Sequence, residues 1–204
     1  MTVQQYNCPT CGAPLPVENR FSLQVICSYC GQSSRITPQG LDPSGEKALL
    51  ADFPSILSIG ATGMLRGTPF KVLGMLRFKY DGGFWDEWFL ALDTGKKLWL
   101  QEDEGEFTAF EKEQLTSPVP PFEEMQVGSL VPVNGKQFFI MEKRRAVLAG
   151  GRGELTFVVT PHSAVGCVDG NAGGILMSIE YLPDEINLSW GAEVPLEELQ
   201  VDAP

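Results

Sequence analysis

FKVLGMLRFKYDGGFWDEWFLAL, residues 70–92, decides the fold class. Phe70 to Tyr80 alternates β-branched, apolar and aromatic residues as a strand does. Asp81-Gly82-Gly83 then supplies the small, turn-forming residues of a hairpin. Phe84 to Leu92 reads as the second strand. Asp93-Thr94-Gly95 marks the next turn, Lys97 to Gln101 a third strand, and Phe107 to Phe110 a fourth after Glu104-Gly105. Such even spacing predicts a small barrel or a strongly curled sheet.

Similar features recur 68 residues further on. Ile59-Gly60 matches Val127-Gly128, Gly67 matches Gly135, Phe70 matches Phe138, and Val72 matches Ile140. Trp88 to Leu92 then lies over Thr156 to Thr160. With an insertion, Leu98-Trp99-Leu100 lies over Leu176-Met177-Ser178. Ser117-Pro118-Val119-Pro120-Pro121 separates the copies as a stiff, non-strand connection. The pattern predicts two similar small β-barrel-like or curled-sheet modules, an internal repeat.

Upstream, Cys8-Pro9-Thr10-Cys11-Gly12 and Cys27-Ser28-Tyr29-Cys30-Gly31 are two copies of one device. Cysteines three apart on a tight turn aim both sulfurs at one metal, and the glycine relieves the turn's backbone angles. Fifteen residues (12–26) separate the pairs, a spacing suited to a four-cysteine zinc site. Cys8, Cys11, Cys27 and Cys30 are the expected ligands of a structural Zn2+, with iron the competitor because thiolates suit it too. A segment this short has almost no core, so metal binding supplies most of its folding energy. It resembles a rubredoxin-like zinc ribbon.

The expected organisation is a ribbon over 1–36, a linker with a short helix over 37–57, a first β module over 58–115, and a Pro-rich connection over 116–124. A second β module over 125–192 and a tail over 193–204 complete the chain. Leu49, Leu50, Phe53, Ile56 and Leu57 supply the helix-like spacing, with Pro54 limiting its length.

Composition narrows the function. Fifteen Lys plus Arg stand against 26 Asp plus Glu, a net charge of -11. That disfavours nucleic acid and anionic lipid as partners and leaves cations or basic protein faces. One histidine, His162, excludes mechanisms that need two. No stretch reads as a signal peptide or approaches the ~20 apolar residues of a membrane helix, so direct membrane insertion is not expected and the expected address is the cytoplasm.

The body resembles a bacterial family, domain of unknown function 4178. The residues that carry the resemblance are Phe70-Lys71-Val72-Leu73-Gly74, Trp85-Asp86-Glu87-Trp88-Phe89-Leu90 and Trp99-Leu100 with Glu104-Gly105. In the second half they are Gly135-Lys136-Gln137-Phe138, Gly153-Glu154-Leu155, Ile179-Glu180-Tyr181 and Ser189-Trp190-Gly191. The resemblance implies an N-terminal ribbon but no assigned activity. It implies association with phage-shock-protein-A-like membrane-stress proteins, which makes such a protein an expected partner, and with polyamine-synthesis enzymes.

Trp85-Asp86-Glu87-Trp88 is the most unusual local sequence. On a strand, Trp85 and Glu87 share one face and Asp86 and Trp88 the other, giving each face an aromatic and a carboxylate. Such a pair suits an ammonium group. Glu102 and Glu104 reinforce the acidity, and Trp190 is a further candidate contact. Asp86 and Glu87 point apart and cannot form one acid–base pair without a bulge. Glu154 and Glu180 would have to be brought together by the fold. Cys167 with His162 lacks an oxyanion feature, and Gly150-Gly151-Arg152-Gly153 lacks the Lys-Ser/Thr ending of a phosphate loop. The expected role is a non-catalytic accessory or adaptor protein in a membrane-stress or polyamine-linked system. The alternatives are a binding module for a cationic small ligand such as a polyamine and, last, a carboxylate-dependent enzyme.

Overall fold

A computed structural model describes residues 4–202. The first residues of the expected ribbon (1–3) and the end of the expected tail (203–204) lie outside the described residues. The chain is almost entirely β. Among the described residues the only helical pieces are two 3-10 turns, Phe122–Glu124 and Leu196–Glu198.

Five short strands build the N-terminal unit: β1 (Gln4–Asn7), β2 (Pro14–Val17), β3 (Gln24–Ile26), β4 (Ser33–Thr37) and β5 (Gly40–Pro43). β1 and β2 pair alone, while β3, β4 and β5 extend the main sheet. β4 ends the expected ribbon, with Ser33 and Ser34 buried in it, and its hairpin partner β5 occupies residues expected to open the linker. The expected helix within 37–57 is absent. Residues 46–57 run as an extended strap that buries Ala48, Leu50 and Leu57. Arginine side chains hold its carbonyls: Arg152 donates to Leu50 O (2.9 Å) and Arg77 to Ala51 O (2.9 Å). A helix would commit those carbonyls to its own N–H groups.

The body contributes β6 (Thr62–Leu65), β7 (Thr68–Tyr80), β8 (Gly83–Leu92), β9 (Lys97–Asp103) and β10 (Glu106–Glu113) from its first half. The second half contributes β11 (Leu130–Val133), β12 (Lys136–Leu155), β13 (Ala164–Ala172), β14 (Ile175–Tyr181) and β15 (Ile186–Glu193). The last strand, β16 (Leu199–Val201), pairs with β6, so the expected tail is in part a strand of the body.

Each half is a curled four-stranded sheet, β7–β10 and β12–β15. Neither closes by itself. β10 pairs with β15 and β7 pairs with β12, so the two halves join into one eight-stranded closed barrel. Matching details recur in the two halves. Gly60 and Gly128 sit at φ 86° and 85°, and Gly67 and Gly135 at φ 75° and 76°. Gly60 N–H donates to Val72 O (2.9 Å) as Gly128 N–H does to Ile140 O (2.8 Å). Beyond that hairpin the sequence alignment slips. Thr156 to Thr160 forms no strand, and the counterpart of β8 is β13. Leu98 and Leu100 pack outside the first half as Met177 and Ile179 do outside the second, one residue from the expected register. A one-residue slip exchanges the faces of a strand.

Three cores follow from this wrapping. The barrel interior packs Leu76, Phe78, Trp85, Phe89, Trp99 and Leu148. The first half's outer face packs Phe70, Val72, Trp88 and Leu90 under the strap and β16. The second half's outer face packs Phe122, Met125, Val131 and Phe138.

Closure depends on two glycines. A Cβ on Gly74 would lie 2.4 Å from Glu154 O, and one on Gly153 (φ 75°) would lie 2.3 Å from Leu73 O. No side chain fits at either of these two positions in the β7–β12 seam. Gly74→Val therefore abolishes the cooperative thermal transition seen by circular dichroism. Gly95→Asn, at an open turn with φ 84°, leaves the transition nearly unchanged.

Candidate functional site

Strand alternation sorts the candidate residues by face. Trp85 and Glu87 point into the barrel. Asp86, Trp88 and Glu102 lie on the outside of it, under the strap. Asp86 is buried in a two-point ion pair with Arg77: Nε and Nη2 each donate to a carboxylate oxygen at 2.6 Å. The Arg77 guanidinium also lies over the Phe84 ring at 4.3 Å. Trp88 Nε1 donates to Glu102 (2.8 Å), which also accepts from Ser55 Oγ (2.7 Å) and so ties the strap down. Glu104 occupies an exposed turn at φ 51°. Trp190 faces outward with Lys136 Nζ 4.1 Å from its ring. The proposed ligand-binding set is thus dispersed, and only Trp85 and Glu87 belong to the interior.

The interior encloses a cavity of about 430 Å³ lined from all eight barrel strands. One wall is apolar: Leu76, Phe78, Trp99, Phe110, Leu148 and Val165. The other is polar: Glu87, Gln101, Lys112, Ser178, Glu180, Asn187 and Ser189. Register explains the polar wall. Asp169, Ser178, Ser189 and Lys112 are successive cross-strand neighbours, as are Arg144, Cys167, Glu180 and Asn187. Strands tilt in a barrel, so each row climbs obliquely from one end to the other. Arg144 fills the far end, paired with Glu142 and with Asp103 (3.7 Å) and lying 4.8 Å from the Tyr80 ring. The loops at 156–163 and 182–185 frame the mouth.

The lumen's carboxyls are held toward their neutral forms. Burial, reinforced by the nearby Glu180 charge, pushes Glu87 up to about 8, even though Trp85 Nε1 donates to it at 3.0 Å. Burial also raises Glu180, and Asp169 adds to the rise while Lys112 opposes it. Burial raises Asp169 despite its bond from Ser178. Lys112 forms no ion pair within 4 Å among the described residues and lies 5.3 Å from the Phe157 ring. The arrangement offers a proton-holding carboxyl pair beside aromatic walls. Burial raises the Cys167 thiol, and His162 stands on an exposed loop, so the structure does not make these two a thiolate–imidazole pair.

Sequence reading paired Trp85 with Glu87 but missed Lys112, Asp169, Ser178 and Asn187. The alternation of Met177, Ser178, Ile179 and Glu180 was the available clue, because it marks a strand with one polar face. Glu154 does not join Glu180. It anchors the N-terminal unit, accepting from Glu18 N (3.0 Å), Asn19 N (3.1 Å) and Ser22 Oγ (2.6 Å). Lys71 adds a pairing to Glu18 at 2.6 Å.

The second chemical cluster is the cysteine quartet. Cys8, Cys11, Cys27 and Cys30 place their sulfurs within 4.8 Å of one another, with Cys8–Cys30 and Cys11–Cys27 at 3.7 Å. Four sulfurs about 2.3 Å from one tetrahedral metal would be about 3.8 Å apart, so the set fits a metal ion. The two turns are superimposable in their bonding: Gly12 N–H donates to Cys8 O and Gly31 N–H to Cys27 O, both at 2.9 Å. Among the described residues no helix is long and apolar enough to cross a membrane.

Two outcomes follow. Asp86→Ala leaves the Arg77 charge buried and unpaired, and lowers the unfolding free energy in urea by about 3–5 kcal/mol. Glu87 has a folded-state pKa above its unfolded one, so its contribution is intact at acid pH and is lost as pH rises toward 8. Glu87→Gln, which mimics the protonated carboxyl, therefore raises the melting temperature at pH 8.5 and changes it little at pH 4.5.

No curated protein and no solved structure matches the chain. Residues 58–202 match the family described as Domain of unknown function (DUF4178), and these span the whole barrel with its flanking strands. The chain belongs to that family.

Proposed function

We propose that this is a non-catalytic accessory protein whose barrel takes a small cationic organic molecule into its lumen. The observation that carries this reading is the placement of Glu87 and Glu180 in one cavity beside Trp99 and Phe110. A cavity of about 430 Å³ lies in the range of small-molecule sites. Eight-stranded barrels are wide enough to hold one small ligand. Carboxylates select an ammonium group, and aromatic walls favour it further by cation–π attraction. Polyamines and aryl amines both belong to this class.

The cysteine quartet is read as a structural zinc site, because four protein thiolates leave no open coordination position. Iron would suit the same donors, and a zinc-loaded protein is distinguished by lacking iron's visible absorption. A reducing compartment such as the cytoplasm keeps these thiols available to metal.

A ligand cation favours ionised carboxyls, so binding expels a proton held near Glu87. Affinity accordingly rises as pH climbs from 6 toward 8 and falls once the amine itself loses its proton. Calorimetric titration with spermidine, phenethylamine and neutral phenethyl alcohol checks this. At least one amine gives saturable binding with proton release, the alcohol gives none, and Glu180→Gln weakens amine binding at least tenfold. Equal binding of amine and alcohol, or no saturable binding, contradicts the reading, and chemical turnover of the amine moves it to an enzyme.

A further inference from the structure

We infer that the metal-held N-terminal unit controls entry to the lumen by clamping the loop at 156–163 through Gln24. This is regulation of the site proposed above and rests on that reading for its purpose, though not for its mechanics.

The loop's far end is fixed to β12, where His162 N–H donates to Leu148 O (2.8 Å) and Ser163 O accepts from Leu148 N–H (3.0 Å). Its near end is held more weakly: among the described residues the hydrogen bonds made by residues 156–159 are two at Val159, and both go to Gln24. Gln24 Oε1 accepts from Val159 N–H at 2.8 Å, and Gln24 Nε2 donates to Val159 O at 3.0 Å. One amide side chain thus takes the place of a strand partner. Gln24 is 1% exposed and starts β3, which ends one residue before the ligand Cys27.

Hydrogen bonds connect the same amide to both cysteine turns. Gln24 Nε2 also donates to Ser33 Oγ. Gln32 Nε2 donates to Ser33 O at 2.7 Å, and Gln32 Oε1 accepts from Thr10 Oγ1 at 3.1 Å. Gln32 O accepts from Cys27 N–H at 3.0 Å. Thr10 lies inside the first turn and Cys27 begins the second. The metal holds those turns together, and the turns hold Gln24.

Phe157 stands two residues before Val159 on the same loop. Its ring packs on Trp99 with centroids 5.6 Å apart. It lines both the lumen and a neighbouring groove of about 360 Å³ beside Lys97 and Glu111. Trp99, Phe110, Lys112 and Phe157 all line both spaces, and of these only Phe157 sits on the loop, so it is the movable part of the partition. Releasing Val159 frees Phe157, which joins the lumen to the groove and opens a side entrance. A segment (156–159) fixed by two bonds to one residue has two discrete states, held and released, while the 162–163 end stays on β12.

Hydrogen exchange on the zinc-loaded full chain tests the clamp without any ligand. Gln24→Leu removes both bonds to Val159, and exchange across 156–160 is expected to quicken at least tenfold while β9 and β14 stay protected. Removing zinc with a chelator does the same to the wild type. Phe157→Ala, which leaves Gln24 and the cysteines untouched, opens the lumen directly: phenethylamine then associates at the same rate with or without zinc. Unchanged exchange across 156–160 in both the Gln24 variant and the zinc-free protein overturns the clamp. If the clamp responds but no amine binds, the lumen reading fails instead. Should Gln24→Leu fail to fold, the zinc-free wild type and Phe157→Ala decide the matter.

Discussion

Backbone pairing between β7 and β12 turns two open, curled sheets into a barrel. Without it each half would expose a strand edge and half a core. The pairing is possible only because Gly74 and Gly153 bring the two backbones closer than any side chain allows. β12 then continues past the seam to pair with β3 through Gly153, Glu154 and Leu155. One 20-residue strand thus pairs with the outer strand β11, closes the barrel and carries the N-terminal unit. The cavity, the mouth and the dock for the cysteine turns are all consequences of that strand's length.

A closed barrel also explains the unusual electrostatics. Every second residue of each strand faces the lumen, so polar side chains in β8, β10, β13, β14 and β15 converge there. The carboxyls are buried, and like charges share the lumen. Both effects favour the neutral carboxyl. On the outer face the solution is different. Asp86 is equally buried, but a guanidinium meets it with two bonds. Asp86 has a two-point guanidinium partner, whereas Glu87 and Glu180 form no ion pair among the described residues and feel only the Lys112 charge across the lumen.

Much of this was legible in the residues. The hairpins around Asp81-Gly82-Gly83 and Asp93-Thr94-Gly95 follow from turn chemistry and alternation. The cysteine turns follow from spacing. The matching hairpins at Gly60 and Gly128 are visible because turn geometry constrains glycine locally. What stayed hidden depends on non-local pairing. Nothing in a strand states which face will be inside a barrel, so Trp85 and Glu87 could not be separated from Asp86 and Trp88 by destination. Apolar spacing in the strap imitated a helix because Arg77 and Arg152, far away in sequence, capture its carbonyls. Gly150-Gly151-Arg152-Gly153 is part of β12, and its role at the seam could be seen only with β7 beside it.

Glu87 and Glu180 share a lumen whose burial and like charges favour a retained proton on at least one carboxyl at neutral pH. Carboxyl carbon NMR of the two glutamates, followed from pH 4 to 10 and assigned with Glu87→Gln and Glu180→Gln, tests it most directly. The account predicts coupled titrations, with one transition near pH 8 in the wild type that moves down when the other glutamate is neutralised. Two independent transitions below pH 5 would contradict it.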